Sequence, residues 1–339
     1  MGDQTGIEWT RGPDGRKGAT WNPVVGCSIH SPGCKNCYAM RHAARLERME
    51  VAKYAGLTEE SKAGPVWKGV IRFHEPSLLQ PILWARPRSI FVNSMSDLFH
   101  ADMNWKRTDE VFAVMALARR HRFMVLTKRG DIQRAYMGAD FRYEDIYSAM
   151  GRLGVRYQKE IGAHPFRAAI QEGMPWPLPN IWQGVSVESR AHLDRIDHLR
   201  QVPAAVRFLS IEPLLEDLGQ IDLTGINWVI VGGESGKGAR PMHLDWVRSI
   251  RDQCAAAGVA FFFKQWGAWA VVYDRDAEDP DWRHPPQPKG QGERYLNLAG
   301  GHGFHGDRVL FIRRMSKKRA GRTLDGRTHE EFPETAHAA

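Results

Sequence analysis

The sequence predicts an α/β protein, a (β/α)8-type or partial parallel barrel with an insertion and a small C-terminal extension. Three observations carry that expectation. Short apolar runs recur along the chain, and each stops at a cluster of polar residues. Helical patterns separate most of them, which is how parallel strands are connected and buried on both faces. The alternation extends from Thr20 to Trp269, close to the roughly 250 residues of a (β/α)8 barrel. A doubly wound open sheet is the alternative arrangement of the same elements.

Thr20-Trp21-Asn22-Pro23-Val24-Val25-Gly26 leads into a cysteine loop, and Val66 to Phe73 is a short candidate strand. Ile90-Phe91-Val92 is a clear strand that stops at Asn93-Ser94-Met95-Ser96-Asp97. Asp109 to Arg119 reads as a helix, because Val111, Val114, Met115 and Ala118 share one face at helical spacing. Phe123-Met124-Val125-Leu126 is a buried strand that stops at Thr127-Lys128-Arg129. From about residue 130 to 180 the pattern loosens, with a helical stretch from Tyr143 to Gly151 and a rigid Pro175-Trp176-Pro177-Leu178-Pro179 connector. This is the expected insertion.

Regularity returns with the strand Ile181 to Glu188, a charged helix from Arg190 to Leu199, and the strands Val206 to Ser210 and Trp228 to Val231. A helix from Leu244 to Ala257 and the strand Phe261-Phe262-Phe263 bring the count to about eight strands, the number a closed barrel uses. Residues 1–270 are thus the expected barrel, and residues 271–339 a polar linker and basic extension. Within the extension, Val309-Leu310-Phe311-Ile312 marks a small added element.

Hydrophobic residues make up 42% of the chain and charged residues 25%, the balance of an ordinary globular protein. No stretch has the apolar length that spans a bilayer. The first residues lack the basic start and apolar run of an export signal, so the expectation is a cytoplasmic protein with no membrane partner. Net charge is +8, and between Arg308 and Arg322 there are seven basic residues and no acidic one. Such a run suits phosphate and a solvated face equally well.

Three of the four cysteines, Cys27, Cys34 and Cys37, fall within eleven positions, spaced C-x6-C-x2-C. Pro32-Gly33 sets a turn just before Cys34, which lets the loop fold back so that three thiolates face one point. A helix starting at Tyr38 would direct its free N–H groups at an anionic cluster held there. Cysteines this clustered, without an export signal, read as a metal site ahead of free thiols or disulfides. A closed zinc site needs a fourth ligand, which His30 or His42 would have to supply. A 4Fe–4S cluster on three cysteines leaves one iron open to bind something else, a chemical reason to stop at three. Cys254 differs: with Val247, Ile250 and Ala257 it forms an apolar seam on one helix and belongs to the core.

In a parallel barrel the carboxyl ends of the strands share one rim. That rim collects the three cysteines with Asn93, Ser94, Ser96, Asp97, Lys128, Arg129, Ser186, Glu188, Glu212, Glu234, Lys264 and Trp266. Ser186 and Glu188 alternate, so both point into the barrel mouth. Gly232-Gly233-Glu234-Ser235-Gly236 would let backbone N–H groups approach an anion or a ribose, although it lacks the spacing of a phosphate loop or a dinucleotide motif. Lys128 and Lys264 would neutralise an anionic ligand or simply cap their strands. Trp266 offers a face for a base. His74 and His100 lie near strand ends and serve as well in loops as in a site.

Gly6-Ile7-Glu8-Trp9, Thr20-Trp21-Asn22-Pro23, the cysteine loop and Phe91-Val92-Asn93-Ser94-Met95-Ser96-Asp97-Leu98-Phe99 carry a family resemblance, as do Val125 to Arg129, Gly184 to Glu188, Phe208 to Leu214, Val231 to Gly236, Phe263 to Gly267, Gly321 to Arg327 and Glu331-Phe332-Pro333. Together they resemble the phage-associated three-Cys-motif family of uncharacterised proteins, over nearly the whole chain. A more distant resemblance is to radical S-adenosylmethionine (radical SAM) enzymes of the spore-photoproduct-lyase type. There too a cysteine loop follows the first strand, and a Ser/Thr–Asp strand end and a Thr-Lys strand end come later.

That resemblance implies that Cys27, Cys34 and Cys37 ligate a 4Fe–4S cluster whose open iron chelates the amino and carboxylate groups of S-adenosylmethionine. It implies Ser96, Lys128, Ser186 and Glu188 as residues that hold this cofactor, with Asn93, Ser94 and Glu212 grouped beside them. Asp97, Arg129, Gly233, Glu234, Lys264 and Trp266 are then left for the substrate. The loop departs from the usual C-x3-C-x2-C in its first gap. Asn36 also stands where an aromatic residue is common, leaving Tyr38 to take over its packing.

The function expected from all this is an iron–sulfur enzyme that, given a reductant, cleaves S-adenosylmethionine to start radical chemistry on nucleic acid or a nucleotide. A non-catalytic nucleic-acid-binding protein, stabilised by zinc or an iron–sulfur cluster, is the alternative. The many polar strand ends favour catalysis, since a binding module has no need of them.

Overall fold

The computed structural model describes residues 4–12, 15–162, 173–276, 278–279, 284–303 and 308–334. Its centre is a parallel sheet of seven strands in chain order: β1 (Ala19–Trp21), β2 (Ser89–Val92), β3 (Arg122–Thr127), β4 (Ile181–Ser186), β5 (Val206–Ile211), β6 (Trp228–Gly232) and β7 (Ala260–Gln265). Alternation along the strands separates two apolar faces. Trp21, Ile90, Val125, Leu209 and Val231 belong to the larger core shared with the helices. Phe91, Met124, Trp182, Phe208, Trp228 and Phe262 fill the other face, where Trp9 and Phe332 close over them. Sequential parallel strands joined by right-handed crossovers keep their helices on one face, so the sheet curls around this aromatic layer. Gly184 makes room inside it: a Cβ there would fall 2.5 Å from the Phe208 ring.

The barrel is not closed. Seven strands pair, not eight, and β1 and β7 are the two edges of the sheet. The missing strand is the expected Val66 to Phe73 run, which splits in two. Gly64–Trp67 forms a hairpin with Thr58–Ser61, and Arg72–Phe73 pairs antiparallel with Val24–Val25. Gly69, at φ 82°, turns the chain inside the run and breaks it. The β7 edge is covered from the C-terminal side: Phe263 N–H donates to the His329 carbonyl at 3.0 Å, and Phe262 bridges antiparallel to Glu330.

The main helices are α1 (Tyr38–Arg48), α2 (Trp105–Leu117), α3 (Gly130–Met137), α4 (Arg142–Arg156), α5 (Asp194–Arg200) and α6 (Leu244–Ala257). Asn104 caps α2, its side chain accepting from Lys106 N–H at 2.9 Å. Gly258 ends α6 in the left-handed conformation at φ 66°. The expected insertion supplies α3 and α4; its residues 163–172 lie outside the described residues. It is pinned to α2 by Asp109, which accepts from Arg142 at 2.6 Å and from the Tyr136 hydroxyl at 2.8 Å. Cys254 lies fully buried in the core seam of α6, and burial pushes its thiol up to about 12.

The extension folds as a second, antiparallel sheet, in which β10 (Arg308–Arg314) lies between β8 (Trp269–Asp276) and β9 (Glu293–Tyr295). Its basic run is largely neutralised. Arg308 pairs with Asp245 and Asp274, Arg313 with Glu293, Lys317 with Glu8, and Arg322 with Glu330. Among the described residues no helix is long and apolar enough to cross a membrane.

Candidate metal and cofactor site

The side-chain alternation that builds the aromatic layer continues past the strand ends. It sends Asn93, Lys128, Ser186, Ser210, Glu212 and Lys264 to the concave side, above Phe91, Phe208 and Phe262. A cavity of about 550 Å³ lies there, and Cys27, Cys34 and Cys37 all line it. All three are free thiols. Ser94, Ser96, Asp97, Arg129, Gly233 and Glu234 join them along its wall, which leaves Glu188 and Trp266 as the expected residues that do not line it.

The cysteine loop has the expected turn. Pro32–Cys34 forms a single 3-10 turn, with Cys34 N–H donating to the Ser31 carbonyl at 2.9 Å. Cys37 N–H donates to the Cys34 carbonyl at 3.2 Å, and α1 starts at the next residue. Gly26 holds the loop's first end at φ 91°, where a Cβ would meet the Val70 carbonyl oxygen at 2.0 Å.

Three buried clamps fix this loop to the strand ends. The Ser31 hydroxyl donates to Glu188, which is fully buried and paired with Lys128 at 3.2 Å and Arg195 at 2.9 Å. Burial alone would raise the Glu188 carboxyl, but Lys128, the Ser31 hydroxyl and Arg195 outweigh it and hold it at about 2. On the opposite side, Glu234 accepts from Asn36 at 2.9 Å and from Arg240, whose guanidinium also reaches the Pro32 carbonyl at 3.0 Å. Arg129 forms the third clamp. It donates to Asp97 at 2.9 Å and to the Ser28 hydroxyl at 2.8 Å, and lies 3.9 Å from the Cys27 sulfur. His100 joins the same hydroxyl at 2.7 Å.

This reassigns several residues. Asp97, Arg129 and Glu234 line the cavity, yet their charges are engaged in holding the loop. Glu188 stands behind the cavity wall and does not line it. Trp266 turns away from the cavity: its indole N–H donates to the Thr323 carbonyl at 2.8 Å and its ring packs on Phe263. The cause is an irregularity in the β6–β7 pairing, where Val231 faces Phe263 but Gly232 faces Gln265. That extra residue reverses the alternation after Lys264. His74 is engaged with Ser77 at 2.8 Å, and neither His30 nor His42 lines the cysteine cavity. Sequence reasoning missed the clamping partners Ser31, Arg195 and Arg240, and Glu8 and Lys317 on the far wall. Of these, Ser31 lies inside the cysteine loop, Glu8 inside the Gly6 to Trp9 motif and Lys317 inside the basic run, whereas Arg195 and Arg240 carried no signal.

The sulfurs share a cavity without meeting at a point. Among the described residues no three His, Cys, Asp or Glu side chains come close enough to enclose a single ion. A lone zinc needs four ligands converging at about 2.3 Å for each Zn–S bond; a four-iron cluster is larger and takes sulfur ligands from further apart. Burial, with Asp97 adding to it and Arg129 opposing, pushes the Cys27 thiol up to about 12, and burial also raises Cys37. Metal binding at this site therefore has to displace thiol protons.

Other groups on the wall lack partners. Asn93, at φ 56°, uses its carbonyl oxygen for Val24 N–H at 3.4 Å and leaves its buried amide N–H₂ unsatisfied. Glu8 Oε2 and Gln265 Oε1 are buried acceptors with none. Lys264 is tied to both oxygens of Glu212, at 2.8 and 2.7 Å. Buried polar atoms of this kind are satisfied by a bound molecule or by water. A free donor and free acceptors lining one cavity suit a ligand that carries a carboxylate and an amino group.

Gly33 packs directly on the Glu188 carboxyl, and a Cβ there would fall 2.8 Å from Oε1 and 3.0 Å from Cδ. Gly33→Ala is therefore expected to push Cys34 away from its neighbours. Under the iron–sulfur reading proposed below, iron uptake should fall while the far-ultraviolet circular dichroism stays that of the wild type. Full iron uptake by the alanine variant would contradict this packing.

Neither a curated protein nor a solved structure matches the chain. A family model described as a protein of unknown function, DUF5131, matches residues 4–333. Because that match covers almost every element described above, the chain belongs to the DUF5131 family.

Proposed function

We propose that this protein is an iron–sulfur enzyme that reductively cleaves S-adenosylmethionine to start radical chemistry, with a nucleotide or nucleic acid as its substrate. The observation that carries the reading is the placing of three free cysteines, and no histidine from their loop, on one cavity walled by polar strand ends. Three thiolates suit a 4Fe–4S cluster with one iron left for a ligand. When bound, cluster and cofactor supply the electron and the reactive carbon that the protein itself lacks.

The chain's own residues bind, orient and exclude water. Asn93 offers its free amide donor to a carboxylate, and Glu8 and Gln265 offer acceptors to an amino group. Ser186, Ser210 and the Lys264–Glu212 pair present polar atoms above the aromatic layer. Trp9 and Phe91, with ring centroids 4.8 Å apart, form the apolar floor that keeps water out. Free thiols and a need for external electrons fit the reducing cytoplasm.

Metal analysis of the anaerobically purified protein tests this. The expected result is a brown protein with about four irons and as many sulfides per chain. Colourless protein with stoichiometric zinc would favour the non-catalytic alternative instead.

A further inference from the structure

Beside the cysteine cavity, on the open β1 edge of the sheet, lies a second cavity of about 790 Å³. The two share Ile7, Asn36, Tyr38, Ser94 and Ser235 in their walls, so they form one continuous depression. The second differs sharply in charge. Arg41, His42, Arg45 and Lys53 line it, and no Asp or Glu does.

Among the described residues no carboxylate pairs with Arg41, Arg45 or Lys53. Arg41 donates to neutral groups only, the Asn36 side chain at 3.3 Å and the Lys237 carbonyl at 2.9 Å. Lys53 donates to the Asn22 carbonyl at 2.6 Å and the Ser77 hydroxyl at 3.0 Å. Burial with no carboxylate nearby pulls its amino group down to about 8. Arg45 is exposed one helical turn beyond Arg41 and makes no ion pair among the described residues. Other arginines of the chain are held by carboxylates, among them Arg308, Arg313 and Arg322 of the extension, while Arg72, Arg120 and Arg207 are spent on backbone carbonyls. Cations gathered along one concave wall with no carboxylate among its lining residues suit a ligand that supplies the negative charge.

From this we propose that the second cavity binds phosphate groups of a nucleotide or nucleic-acid substrate and directs the adjoining nucleoside past Tyr38 into the cysteine cavity. The Tyr38 ring stands at the junction, 54% exposed, with its hydroxyl anchored to the Ser94 carbonyl at 2.8 Å. An anchored, exposed aromatic ring is a stacking surface for a base. The volume is that of a site for a small molecule of nucleotide size. The inference rests on the proposed enzymatic reading only for what happens in the neighbouring cavity; the phosphate site stands on its own charges.

The test uses the full chain, purified anaerobically, with two probes: AMP by calorimetry and a fluorescein-labelled single-stranded oligonucleotide by anisotropy. Wild type is expected to bind at least one. Binding of AMP together with the strand marks free nucleotides as a source of the phosphate, and binding of the strand alone marks nucleic acid. In Arg41→Ala/Arg45→Ala, affinity should fall roughly a hundredfold, about tenfold for each guanidinium–phosphate hydrogen bond removed. The salt dependence of strand binding should flatten by about one counterion per cation removed. Lys318→Ala/Arg319→Ala, in the extension, should bind like wild type. Failure of wild type to bind either probe overturns the proposal, as does unchanged binding by the cavity variant. Iron content is read on the same samples: a protein without iron that still loses phosphate binding in the cavity variant keeps this site and discards the enzymatic reading.

Discussion

Cys34→Ala is expected to purify without colour and without iron, because a cluster left with two cysteine ligands has no stable seat in this cavity. Disturbing even a residue that only supports a metal ligand costs about 10–100-fold in metal affinity, and removal of a ligand costs more. Cys254→Ala is the matched control. Its sulfur is buried in the seam of α6, away from the cavity, so this variant should keep its iron and lose about 1–2 kcal/mol of stability. Iron determination and thermal melting of the two variants separate the roles. Equal iron in Cys34→Ala and wild type would remove Cys34 from the metal site.

Glu188→Gln is expected to have the largest effect on stability. It neutralises the one carboxylate between Lys128 and Arg195 and leaves their charges buried without a counterion. Breaking such a pair costs about 3–5 kcal/mol, far more than the loss of an exposed pair. The sign of the pH dependence follows from the depressed carboxyl. Its ordinary value of 4.5 applies in the unfolded chain and a value of about 2 in the folded one. Its stabilisation is therefore complete above 4.5, fades as the pH falls, and is gone below about 2. Melting curves of wild type should descend through that interval, and those of Glu188→Gln should lack this part of the descent. A glutamine variant that melts with wild type at neutral pH would show that the clamp contributes nothing.

The strands were legible because a sheet buried on both faces writes continuous apolar runs such as Trp228 to Val231 and Phe261 to Phe263. The rim was legible because strand ends in a parallel sheet share one side. What failed was local. Val66 to Phe73 has strand composition, and only the backbone turn at Gly69 and the antiparallel partners at Val24–Val25 remove it from the sheet. Trp266 was misdirected by one irregular residue in the β6–β7 pairing.

The clamps were not legible at all. Ser31 meets a residue 157 positions away and Asn36 one 198 positions away, distances over which a single sequence carries no pairing signal. The role of charge stayed open for the same reason. The basic run of the extension stood out in the sequence but is mostly paired in the fold. Arg41, Arg45 and Lys53 were unremarkable in the sequence and converge in space.

The central claim is that three sulfurs leave one iron open to S-adenosylmethionine, and release of 5′-deoxyadenosine tests it most directly. Iron-loaded wild-type protein, reduced with dithionite and given S-adenosylmethionine, should release 5′-deoxyadenosine and methionine, and Cys34→Ala should release neither. An iron-loaded, reduced wild-type protein that leaves S-adenosylmethionine intact would contradict the account.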